Sequence, residues 1–141
     1  MIECVDHIGI AVESIEESRR LYEAMGLEVA EIEEVPQEKV RVAMIPCGQT
    51  RIELLEPTAD DSPIAGFLAK RGPGIHHVCL RTDDVVAEDA KLREQGVTLI
   101  KEAPSTGAGG SLVQFLHPKS AGGVLLEIAE PGTGHGSGAT S

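Results

Sequence analysis

Residues 6–29, DHIGIAVESIEESRRLYEAMGLEV, lie over residues 76–99, HHVCLRTDDVVAEDAKLREQGVTL, so that His7 falls on His77, Ser14 on Asp84 and Gly26 on Gly96, each 70 residues on. Further along, ELLEP (53–57) lies over EIAEP (127–131) at an offset of 74. Such a repeat limits the fold severely, because one supersecondary unit has to serve twice. Ser14 and Asp84 are good N-caps, Ser14 with a capping-box partner at Glu17, and each opens an amphipathic segment that stops at Gly26 or Gly96. An alternating strand precedes each helix. Three β-rich runs follow it: EVAEIEEV, KVRVAMIP and TRIELLEP in the first copy, and VTLIKE, SLVQFLH and GVLLEIAEP in the second. The expected fold is therefore α+β, a βαβββ module used twice.

The module boundaries follow from this pattern. Module 1 is expected at about 3–57 and module 2 at about 74–131, within a single domain of 1–131. The link 58–73 should carry a short helix, capped by Asp61 or Ser62 with Pro63 in its first turn, ending near Gly72. The tail GTGHGSGATS (132–141) has no apolar period and is expected to be disordered, which leaves His135 as a tail residue. At 141 residues the chain is long enough to bury a core without disulfides or structural metal. Three widely spaced cysteines, Cys4, Cys47 and Cys79, make neither a disulfide framework nor a zinc knuckle. MIECVDHIG offers neither the basic nor the apolar region of a secretion signal, and no long apolar run follows, so a cytoplasmic protein without a membrane span is expected. A net charge of -11 and only three aromatic residues argue against nucleic acid as a partner.

Alternation along the strands assigns the polar residues to faces. Ile8, Ile10 and Val12 share one face of the first strand, and His7, Gly9 and Ala11 the other; in the second copy Val78 and Leu80 lie opposite His77 and Cys79. Ile52 and Leu54 lie opposite Glu53, as Leu126 and Ile128 lie opposite Glu127. Thus His7, Glu53, His77 and Glu127 occupy matched positions on the less bulky face of both modules, whereas His76 points to the packed side. An ionised carboxylate on an apolar strand face needs a partner charge, and one divalent cation answers for two carboxylates and two imidazoles together. Such a nitrogen and oxygen donor set, free of thiolate, suits cobalt, manganese, nickel, iron or zinc. With six-fold coordination it leaves two positions for substrate oxygens.

These residues resemble the vicinal oxygen chelate superfamily, and within it the methylmalonyl-CoA epimerase family, over about residues 3–131. The four-ligand pattern is shared with glyoxalase I, so the discriminating stretches are DHIGIAV, DSPIAGFLAKRGPGIHHVCLRTDD and FLHPKSAGGVLLEI (115–128). The resemblance implies paired modules forming a cup-shaped, partly open barrel-like sheet around a divalent metal, with cobalt favoured. It also implies a homodimer and epimerisation of an acyl-CoA substrate at the carbon between thioester and carboxylate. A cation fixed beside the thioester oxygen stabilises the enolate left by proton removal, and a proton donor or acceptor is then needed on each face of that carbon. Some epimerases of this family carry a second acid in the strand corresponding to KVRVAMIP, near Val42, where this chain has no acid. Glu53 and Glu127, related by the repeat, are the alternative proton-transfer groups. Lys119 and Ser120, in the turn HPKSAGG, are candidate donors to the substrate carboxylate or the CoA phosphates. GAGG (107–110) lacks the ending of a phosphate-binding P-loop and is expected to be a flexible loop. Rival readings are a glyoxalase I-like isomerase of a glutathione adduct and a metal-free small-molecule-binding protein of the same fold; an extradiol dioxygenase fits less well.

Overall fold

The computed structural model describes residues 1–132; residues 133–141, with His135, lie outside the described residues. In chain order the elements are β1 (Ile2–Ala11), α1 (Ile15–Ala24), β2 (Glu31–Val35), β3 (Val40–Cys47), β4 (Thr50–Pro57) and α2 (Pro63–Arg71). They continue with β5 (Gly74–Thr82), α3 (Val85–Glu94), β6 (Ser105–Thr106), β7 (Leu112–Leu116) and β8 (Leu126–Glu130). The chain is α+β, as expected. Contacts divide it into two units, one of residues 7–76 and one of Met1–Asp6 with the chain from His77 onward. No helix among the described residues is long and apolar enough to cross a membrane.

In the unit of residues 7–76 the strands lie in the order β2, β3, β4, β1, with β1 parallel to β4 and the other pairs antiparallel. Ser14 caps α1 by accepting the Glu17 N–H at 3.2 Å. At the other end Gly26 takes φ +91°, a conformation that a side chain disfavours. One face of the sheet packs on α1 through Val12, Ile15, Ala43, Ile45 and Leu54, with Ile10, Tyr22 and Ile52 around them. Ile15, Ile45 and Leu54 are wholly buried, and each contributes roughly 2 kcal/mol of transfer free energy. Ser62, rather than Asp61, caps α2, accepting the Ile64 N–H at 3.1 Å.

The second unit repeats this plan. Its strands lie in the order β5, β8, β7, β6, with β5 parallel to β8 and the remaining pairs antiparallel. Asp84 caps α3 through the Ala87 N–H at 3.0 Å, and Val85, Leu116 and Ile128 form the core under the helix. The registers match as well. Glu53 stands between Gly9 and Met44 on the neighbouring strands, and Glu127 between Cys79 and Phe115. The second glutamate of each repeat motif has a structural use: Glu56 Oε1 accepts the Ile15 N–H at 2.8 Å, and Glu130 Oε1 the Val85 N–H at 3.0 Å. A carboxylate from the last strand thus satisfies a first-turn donor of the helix and meets its positive end.

The modules differ where VTLIKE was expected to be a strand. That segment makes only an isolated bridge, Leu99 to Leu116, and the outer strand is the two-residue β6. Around that bridge Ile100 N–H donates to Phe115 O and His117 N–H to Thr98 O, both at 2.8 Å, but beyond it the backbone groups go to side chains. The amide of Lys101 donates to Gln114 Oε1, and the carbonyls of Lys101 and Glu102 accept from Arg93 Nη2. In the first module β2 is likewise shorter than expected, beginning at Glu31. The glycine run 107–110 closes into a 3-10 turn, with the Gly107 N–H donating to Ser111 O at 2.7 Å.

Candidate active site

Within the unit of residues 7–76, β1 and β4 present His7 and Glu53 away from α1. His7 Nδ1 and Glu53 Oε2 are 3.5 Å apart, with 8% and 5% of the side chains exposed. Within the second unit β5 and β8 present His77 and Glu127 in the same relation, with His77 Nε2 3.2 Å from Glu127 Oε1 and 9% of each side chain exposed. Each histidine lies two residues before the strand position opposite its glutamate: Gly9 opposes Glu53, and Cys79 opposes Glu127. Two donors at right angles in the coordination sphere of one ion, each about 2.1 Å from it, are about 3 Å apart. Both pairs have the chemistry and spacing of neighbouring metal ligands, and burial removes the competing water.

The two pairs are not chemically equal. Arg51 shares the face of Glu53, two residues before it on β4, and its guanidinium donates to Glu53 Oε2 from Nη2 at 2.8 Å and from Nε at 3.3 Å. The matching residue in the other copy is Leu125, which brings no charge. Glu127 has an aromatic neighbour instead: the ring of Phe115, across from it on β7, meets the His77 ring edge-on at 6.2 Å between centroids. His76 packs on the ring of Phe67 from α2, at 5.1 Å, as expected for a residue on the helix side. Val42 is buried on the Glu53 side of β3, so no acid stands there.

Lys119 and Ser120 are exposed in the 3-10 turn after β7. Ser120 Oγ accepts the Thr98 N–H at 3.0 Å, and the Lys119 amide donates to His117 Nδ1 at 3.1 Å, which makes His117 a cap of that turn. Sequence reasoning passed over three further features. Arg51 was available from the same alternation that located Glu53. Asp6 and Arg81 form a buried ion pair, Oδ1 to Nε 2.8 Å, that no local pattern announces. Gln114, wholly buried, donates to Asp89 Oδ2 at 2.7 Å, and Arg93 Nε donates to Asp89 Oδ1 at 2.6 Å. Burial pushes the Asp89 carboxyl up, but hydrogen bonds from Arg93 and Gln114 and the charge of Arg93 outweigh it and hold the group below its ordinary value.

Residues 6–115 match the model of the Glyoxalase/Bleomycin resistance protein/Dioxygenase superfamily. The chain belongs to that superfamily and, within it, to the methylmalonyl-CoA epimerase family. It is 39% identical over 128 residues to the mitochondrial methylmalonyl-CoA epimerase of Bos taurus, covering 89% of this chain and 73% of that one. It is 39% identical over 133 residues to the ethylmalonyl-CoA/methylmalonyl-CoA epimerase of Cereibacter sphaeroides, covering 92% and 99%. The crystal structure of methylmalonyl-CoA epimerase from Mycobacterium tuberculosis superimposes with a TM-score of 0.90 at 36% identity, covering 96% of this chain and 93% of that one.

Proposed function

We propose that this chain interconverts (R)- and (S)-methylmalonyl-CoA by removing and returning the α-proton. The observation that carries the reading is the histidine–glutamate pair placed at the same register in both modules of a chain this similar to known epimerases. His7, Glu53, His77 and Glu127 are proposed as one donor set for a divalent cation, cobalt first. The bound cation would supply positive charge beside the thioester oxygen, where charge develops as the proton leaves. Glu127 and Glu53 are the proposed proton carriers. Glu53 is engaged by the guanidinium of Arg51, which donates to its Oε2 at 2.8 Å, whereas the position matching Arg51 beside Glu127 is Leu125. Lys119 and Ser120 are proposed donors to the substrate carboxylate or the CoA phosphates. Ethylmalonyl-CoA is a reasonable second substrate, since one methylene in an apolar pocket is worth only about 1–3 kcal/mol of discrimination. A homodimer in the cytoplasm completes the proposal.

The test is exchange of the α-proton of methylmalonyl-CoA with deuterated solvent, run with and without chelator. Exchange that stops with chelator and returns with added cobalt is expected. Chelator-resistant exchange would refute the metal, and no exchange in the metal-loaded protein would refute the reaction. Glu127→Gln and Glu53→Gln, each assayed after metal content is measured, should both lose epimerisation. Near-normal epimerisation by both variants would remove the glutamates from proton transfer.

A further inference from the structure

Five basic side chains are at least half-buried among the described residues: Arg19, Arg41, Arg51, Arg81 and Lys101. Four of them face carboxylates: Arg19 meets Glu23, Arg41 meets Glu56, Arg51 meets Glu53, and Arg81 meets Asp6. Lys101 is the exception, in a chain with 23 acidic residues to 12 basic ones. Its ammonium donates to the neutral Ser105 Oγ at 2.7 Å and stands 5.8 Å from the centroid of the Phe115 ring. Removing an ammonium from water without a counter-charge is unfavourable, and an aromatic face returns only part of the loss.

The backbone beneath this side chain is held with unusual thoroughness. Gln114 accepts the Lys101 N–H at 3.3 Å and donates to the Lys101 carbonyl at 2.9 Å. Arg93 Nη2 donates to that same carbonyl at 2.7 Å. Both side chains are anchored on Asp89. Three polar side chains therefore fix the position of one lysine, and Phe115, under its ammonium, is also the ring that meets His77 and stands opposite Glu127.

We propose that Lys101, with Ser105, is an anion-binding residue for the acyl-CoA substrate, placed over the Phe115 ring that meets His77. It takes a carboxylate or phosphate oxygen of the ligand as the counter-charge that the fold withholds. This rests on the reading of the site as an acyl-CoA site. Pre-positioning lowers the ordering cost that binding would otherwise carry.

Calorimetric titration with racemic methylmalonyl-CoA tests it, because the racemate is already at the end-point of the reaction and the heat reports binding. The parent, Lys101→Gln, Lys101→Met and Lys101→Arg are compared, each first shown to keep its unfolding temperature. Lys101→Gln and Lys101→Met should weaken binding about tenfold, the size of one hydrogen bond to a charged group, and Lys101→Arg should recover most of it. Repeating the titration with methylmalonyl-pantetheine, which lacks the CoA phosphates, separates the sources. A loss seen with both ligands assigns Lys101 to the carboxylate, and a loss confined to the CoA ester assigns it to phosphate. Equal affinity of the parent and both neutral variants for both ligands overturns the proposal. A parent that binds methylmalonyl-CoA but exchanges no α-proton overturns the epimerase reading and leaves Lys101 standing; a parent that binds neither ligand overturns both.

Discussion

Replacing Gln114 by leucine isolates what the buried network under Lys101 contributes. The side chain makes four hydrogen bonds: to Asp89 Oδ2, to the Lys101 carbonyl, and from the amides of Lys101 and Phe115. Two acceptors lose little, because Arg93 still reaches Asp89 and the Lys101 carbonyl. The two amides lose their Gln114 acceptor. A buried donor left without a partner costs about 1–3 kcal/mol; the Phe115 amide, at 2.8 Å, belongs at the upper end and the Lys101 amide, at 3.3 Å, at the lower. The leucine regains about 1 kcal/mol by apolar burial. A net loss of about 2–3 kcal/mol follows, a large share of the ~5–15 kcal/mol that keeps a domain folded. Urea unfolding gives the loss, and amide hydrogen exchange should show Lys101 and Phe115 among the residues that accelerate most. Ligand affinity should fall with it, since the lysine backbone is released. Gln114→Glu is the control: it keeps an acceptor for both amides but sets a second carboxylate against Asp89, and should be worse than leucine at pH 7. A loss under about 0.5 kcal/mol for leucine, or unchanged exchange at the two amides, would refute the network.

Asp89 is held below the ordinary carboxyl value, so its stabilisation is present above about pH 4 and fades as pH falls toward the folded-state value. Asp89→Asn should therefore unfold at lower urea than the parent at pH 7, with a gap that narrows as pH falls below about 4; a gap independent of pH would contradict this. Arg81→Met should cost about 3–5 kcal/mol, because it leaves the Asp6 carboxylate buried without its guanidinium, and Asp6→Leu in the same chain should restore much of the loss. A double variant no more stable than Arg81→Met in urea would place the energy elsewhere.

The repeat carried most of the fold because caps and alternation are local properties. Ser14, Asp84, Gly26 and Gly96 act within one turn of their own positions, and the parity of Glu53 and Glu127 along their strands put them on the face where they are found. VTLIKE failed for the converse reason. Its apolar alternation is genuine and Thr98 and Ile100 do pair with β7, but the side chains of Arg93 and Gln114 capture the backbone groups of Lys101 and Glu102, and the ladder stops there. Arg51 was legible from the alternation that places Glu53, but the repeat does not mark it, since Leu125 stands at the matching position. Asp6 with Arg81, 75 residues apart, was not legible at all, since nothing near either residue records the other.

Glu53 and Glu56, three residues apart on one strand, face opposite ways, and so do Glu127 and Glu130. One member of each couple stands among the candidate chemistry, and the other latches the helix behind it. Selection acting on reactivity at the first position need not disturb the latch at the second. A module wired in this way can exchange one reaction for another on its front while its back stays as it was, which gives a duplicated half-length segment room to diversify.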